Sequence, residues 1–124
     1  MNIGLLGLIL GSVLLSAIAQ LVLKLGMSSA PVQAALSQDS ILHAVCAVAI
    51  NLHVLAGLGL YLLGAGIWLL VLARVDLSFA YPFVGAGFIV TMLLGWWVLN
   101  EPVGTARLVG TLLVVSGVWL VSGS

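Results

Sequence analysis

The chain has 124 residues, 64% of them hydrophobic and 5% charged, with a formal net charge of zero. A soluble domain carries about 25% charged residues, so this composition cannot clothe a water-facing surface and implies an integral membrane protein. Zero net charge offers no electrostatic footprint for nucleic acid, and a single cysteine, Cys46, excludes an intrachain disulfide and any multi-cysteine metal site.

The N-terminal run MNIGLLGLIL lacks the basic n-region of a signal peptide, and its apolar stretch continues to Leu23, too long for a typical h-region. About 20 apolar residues cross a hydrocarbon core of about 30 Å. Residues 3–25 therefore read as a retained first span with Lys24 at its interfacial end. Within it, SAIAQLVLK sets Ser16, Gln20 and Lys24 at steps of four, on one helix face. Two readings are open for this stripe of hydroxyl, amide and ammonium. It either ties helices together, with Lys24 snorkelling to the interface, or holds a phosphate and sugar hydroxyls inside the bundle.

Residues 26–40, GMSSAPVQAALSQDS, are the longest polar stretch and the longest loop. Apolar character resumes at Ile41 and runs to Ala73, too long for one crossing, with His43, Asn51 and His53 interrupting its first part. An interfacial or extended lead-in helix is expected over 32–50 and the second span over 54–73. His43 and His53 have no ligand-like spacing to each other or to Cys46, so no metal site is expected. Gly57, Gly59, Gly64 and Gly66 suit close helix approach, and Trp68 is deep enough to face the interior.

Arg74-Val75-Asp76 makes a very short turn. Arg74 either caps it with Asp76 or supplies a cation to a substrate. The third span, 78–99, contains VDLSFAYPFVGAGF. Pro82 removes a backbone hydrogen bond from an apolar helix, and Gly85 and Gly87 lower the cost of bending. Tyr81-Pro82 with these glycines is either a hinge beside a polar notch in a cavity-lining helix or a static kink. Asn100-Glu101-Pro102 closes the span. Glu101 is either part of a helix stop, or a charged gate, or a partner for Lys24 or Arg107 on the same membrane side. The fourth span, 106–122, has Gly110 and Gly117 seven residues apart. Trp96, Trp97 and Trp119 lie near span ends, as in an interfacial aromatic belt. Lys24 and Arg107 fall on one membrane side, Arg74 and the N-terminal amine on the other, which leaves the positive-inside rule near a tie.

These elements make one all-α membrane domain over 1–124, with four transmembrane helices joined by short connections. Four helices are few for enclosing a solute path, so a dimer is expected. No carboxylate lies within a span, which argues against proton-coupled drug export. No Gly-rich phosphate loop and no nucleophile–base pair occur, so neither ATP use, a cofactor nor catalysis is expected.

Three segments, SVLLSAIAQLVLKLGM, GAGIWLLVLARVDLSFAYPF and WWVLNEPVGTARLVGTLLVVSGVWLVSGS, taken in order and spacing, resemble the drug/metabolite transporter superfamily. Within it the chain is similar to the small four-helix members (EamA-like and small multidrug-resistance-like). It is most similar to the subunits of undecaprenyl-phosphate-aminoarabinose flippases. The resemblance implies a homodimer, or a heterodimer with a paralogue. It also implies movement of a polyprenyl-phosphate-linked sugar across a bacterial inner membrane, with Gln20, Lys24, Tyr81 and Glu101 as matching functional positions. The more distant small multidrug exporters carry an essential first-helix Glu that aligns near Ser16, so their chemistry is not carried over. Their Gly-x-Gly resembles Gly85-Ala86-Gly87, which here sits a residue closer to the Tyr. An exporter of small cations or metabolites, and a non-transporting membrane partner subunit, are the competing expectations.

Overall fold

The computed structural model describes residues 3–38 and 40–123. Asp39 of the first loop, Met1 and Asn2 of the first run, and Ser124 lie outside the described residues. Every regular element among the described residues is helical. The chain runs through α1 (Ile3–Met27), α2 (Ala30–Leu36), α3 (Ile41–Ile50), α4 (Leu52–Leu72) and α5 (Leu77–Ala80). A 3₁₀ segment (Tyr81–Gly85), α6 (Ala86–Trp97) and α7 (Thr105–Ser122) complete it. Among the described residues four helical segments are long and apolar enough to cross a membrane: Ile3–Met27, Leu52–Leu72, Leu77–Trp97 and Thr105–Ser122. This is the all-helical, four-span architecture expected from the hydropathy pattern.

Loop chemistry explains where the spans begin and end. The first helix stops at Gly26-Met27, where Ser29 takes an extended conformation and Pro31 opens α2. The single interfacial or extended lead-in helix expected over 32–50 is instead two short helices, Ala30–Leu36 and Ile41–Ile50. Ser37 ends α2, and Ser40 caps α3 by accepting a hydrogen bond from the His43 N–H. Asn51 then begins α4 two residues earlier than hydropathy indicates. Its Oδ1 accepts from the Val54 N–H at 3.1 Å, and its Nδ2 donates to Ser29 Oγ at 3.0 Å. Ser29 Oγ in turn donates to the Gly26 carbonyl at 2.6 Å. Asn51 thus caps one span and ties it to the end of another, which hydropathy could register only as an interruption.

Pro82 does not break the third span. Its missing N–H is absorbed by five residues of tighter 3₁₀ winding between α5 and α6. Gly85 and Gly87 each have a packing reason. A Cβ on Gly85 would lie 2.6 Å from Val114 Cγ1 of α7, and one on Gly87 would lie 3.1 Å from Val13 Cγ1 of α1. Small residues here let one helix approach two neighbours at once.

The helices form a bent row. α1 packs along α4 on one side and against α6 on the other, while α7 leans on α6 and the 3₁₀ segment. The α1–α4 seam is close because Gly57 and Gly64 face α1. A Cβ on Gly57 would meet Leu23 side-chain and backbone atoms at 2.7–3.0 Å, and Ser12 Oγ donates to the Gly64 carbonyl at 3.0 Å. Gly59, Gly66, Gly110 and Gly117 have nothing within 4 Å of a built Cβ. The apolar core gathers Ile9, Val71, Ala80 and Phe83, with Trp68, Phe79 and Val118 packed around them. It therefore lies at the Arg74 end of the bundle.

Candidate functional site

A groove runs along α1. Its floor is the stripe that begins one turn earlier than the sequence reading placed it, at Ser12, and continues through Ser16 and Gln20 to Lys24. At 1.5 Å per residue these four positions span about 18 Å, more than half of a hydrocarbon core. The walls are α4, through Tyr61, Gly64 and Trp68, and the third span, through Tyr81, Gly87 and Thr91. This upper section has a volume of about 430 Å³. A lower section of about 260 Å³ adjoins it and shares Ala17, Gln20 and Thr91; its end is lined by Lys24, Gly95 and Glu101.

Each polar group is positioned by a local cause. Ser12 is buried and spends its hydroxyl proton on the Gly64 carbonyl. Thr91 Oγ1 donates back to the Gly87 carbonyl at 3.0 Å, leaving its oxygen free to accept. Gln20 and Lys24 are exposed along the groove. Glu101 is half-buried and is brought back over α6 by Asn100, which takes a left-handed conformation (φ 55°). Asn tolerates that region better than most residues. The Glu101 N–H then donates to the Gly95 carbonyl at 2.9 Å. A Cβ on residue 95 would collide with the Glu101 carboxylate oxygen, so Gly95 makes the seat in which that carboxylate rests.

Of the residues singled out from the sequence, Ser16, Gln20, Lys24, Tyr81, Glu101 and Gly87 meet in this groove. Arg74 does not: it is exposed in the turn after α4, at the opposite end of the bundle. Pro82 and Gly85 stand in the 3₁₀ segment behind the groove wall. Sequence reasoning missed Ser12, Tyr61 and Gly95. Ser12 was findable, because it lies four residues before Ser16. Tyr61, seven before Trp68, shares that residue's face of α4. Gly95 carried no signal, since its role depends on a turn six residues away.

Chemically, the groove offers hydroxyls, an amide and aromatic faces in its middle, and one cation with one carboxylate at its end. It can host a polar headgroup at membrane depth while leaving an apolar chain outside it. Residues 9–122, including the whole groove, match the model of the family described as "Putative transmembrane family 234". The chain belongs to this family. Among curated relatives of this family member, a Proteus mirabilis protein (strain HI4320) is named "Probable 4-amino-4-deoxy-L-arabinose-phosphoundecaprenol flippase subunit ArnF". It is 35% identical over 118 residues, covering 91% of this chain and 87% of the relative. Proteins named as the ArnE subunit of the same flippase are similar over shorter stretches. The one from Pseudomonas syringae pv. syringae (strain B728a) is 45% identical over 64 residues, and that from Pseudomonas fluorescens (strain Pf0-1) is 43% identical over 65. These two alignments cover 50% and 51% of this chain, and 59% and 57% of the relatives' length. No solved structure matches the chain.

Proposed function

We propose that this chain is a flippase subunit that carries a polyprenyl-phosphate-linked aminosugar of the 4-amino-4-deoxyarabinose kind across a bacterial inner membrane. In this reading its four-helix plan is that of the small drug/metabolite transporters, and it works as a homodimer or beside a paralogue. The observation that carries the proposal is the polar stripe Ser16, Gln20 and Lys24 forming the floor of a groove between α4 and α6. A lipid-linked sugar keeps its prenyl tail in the bilayer and needs a polar path for its phosphate and sugar alone. Lys24 supplies a point charge for the phosphate. Gln20, Ser16 and Tyr81 supply hydrogen bonds for the sugar, and Tyr61 and Trp68 give it apolar faces. Arg74 would meet the headgroup only at the far end of its path. The relatives' names supply the aminosugar and the prenyl phosphate.

Native mass spectrometry on the purified protein, with the 4-amino-4-deoxyarabinose ester of undecaprenyl phosphate competing against ordinary phospholipid, tests the proposal. Wild type is expected to retain the ester selectively, and Lys24→Ala to lose about tenfold of that retention, as fits one charge-assisted contact. Retention no better than phospholipid in the wild type would end the flippase reading for this chain.

A further inference from the structure

We infer that the pocket formed by Lys24 and Glu101 recognises a headgroup bearing both a phosphate and an amino group, and that Glu101 selects for the amine. This inference rests on the flippase reading above and adds a specificity-determining residue to it.

Lys24 and Glu101 line one pocket of about 260 Å³, together with Gln20 and Thr91 and the apolar Leu21, Leu94 and Leu99. Two features show that the carboxylate is placed rather than incidental. The left-handed Asn100 and the Glu101-to-Gly95 backbone bond fold it inward, and the missing Cβ of Gly95 makes room for it. No side-chain hydrogen bond among the described residues engages it there. Holding an ion against apolar walls costs free energy unless a partner offsets it.

For a bare phosphate, or a phosphate joined to a neutral sugar, Glu101 is the wrong charge. It would repel the phosphate that Lys24 attracts, over a short distance and at reduced dielectric. A headgroup that also carries an ammonium reverses that sign. The phosphate faces Lys24, the ammonium faces Glu101, and each charge of the pocket meets its complement. One carboxylate then favours the amino sugar and disfavours its hydroxyl analogue, which is how a charge gives specificity beyond affinity. Gln20 and Thr91, at the junction with the upper section, are placed to hold the ring between the two charges.

The test is competitive retention, read by native mass spectrometry on the purified full chain in nanodiscs. Three lipids are compared: undecaprenyl phosphate, its 4-amino-4-deoxyarabinose ester, and the same ester with a hydroxyl in place of the amine. Wild type is expected to prefer the amino lipid over the hydroxyl lipid by about tenfold. Glu101→Gln is expected to erase that preference and to raise retention of undecaprenyl phosphate, because a repulsion is relieved. Gly95→Ala keeps the charge but displaces the carboxylate, and is expected to erase the preference as well. It decides the matter if Glu101→Gln proves poorly folded. A preference that survives both variants, or a wild type that does not distinguish amine from hydroxyl, overturns the inference while leaving the flippase reading intact. Retention of none of the three lipids overturns both.

Discussion

At the Arg74 end of the bundle, Ile9, Val71, Ala80 and Phe83 bring α1, α4 and the third span into one apolar cluster. Toward the Lys24 end a pocket opens between α1 and the third span, lined by Gln20, Lys24, Thr91 and Glu101. The difference lies in the side chains rather than the helices. Large apolar groups close one end by packing. The other end carries polar and charged groups along its groove, which burial in an apolar medium would penalise unless they were paired. The described bundle is thus packed at the Arg74 end and grooved toward the Lys24 end.

That contrast can be broken at the packed end first. Phe83→Ala leaves a cavity beneath the 3₁₀ segment and is expected to destabilise the protein by about 3 kcal/mol, read as a clear fall in the melting temperature of the detergent-solubilised chain. An unchanged melting temperature would mean that the apolar cluster does not hold this end together. The α1–α4 seam sharpens the comparison. Gly57→Ala presses on Leu23, backbone included, and is expected to cost about 2 kcal/mol. Gly59→Ala, two residues away in open space, is expected to change stability by less than about 0.5 kcal/mol in the same melt. Asn51→Ala loses the cap of α4 and the bond to Ser29, with an expected cost of about 1 kcal/mol. Protease nicking between α1 and α4 should quicken in that variant, while the melt of the Phe83 cluster stays close to wild type.

The four spans were legible because lipid leaves a long apolar run few alternatives to helix. The four long helices begin and end within two residues of those runs, whereas the division of the lead-in into α2 and α3 depended on side-chain caps. The stripe Ser16, Gln20 and Lys24 was legible because a stride of four is a property of one helix. Arg74 was a candidate cation beside Lys24, although the order of the spans already set the two on opposite membrane sides, and in the structure it stands at the end of the bundle away from the Lys24 pocket. Gly85 and Gly87 read, with Pro82, as part of either a hinge or a static kink. In the structure they accommodate Val114 and Val13, contacts made with residues 29 and 74 positions away that no local pattern carries.

The sequence by itself therefore determined the solvent, the number of crossings and the polar face of the first helix, all consequences of hydropathy and helical period. The tertiary structure decided which walls face that stripe, which end is sealed, and that Glu101 returns over Gly95 to share a pocket with Lys24. Those outcomes depend on the close approach of residues far apart in the chain, and close approach is set by packing geometry rather than by any one segment's preference.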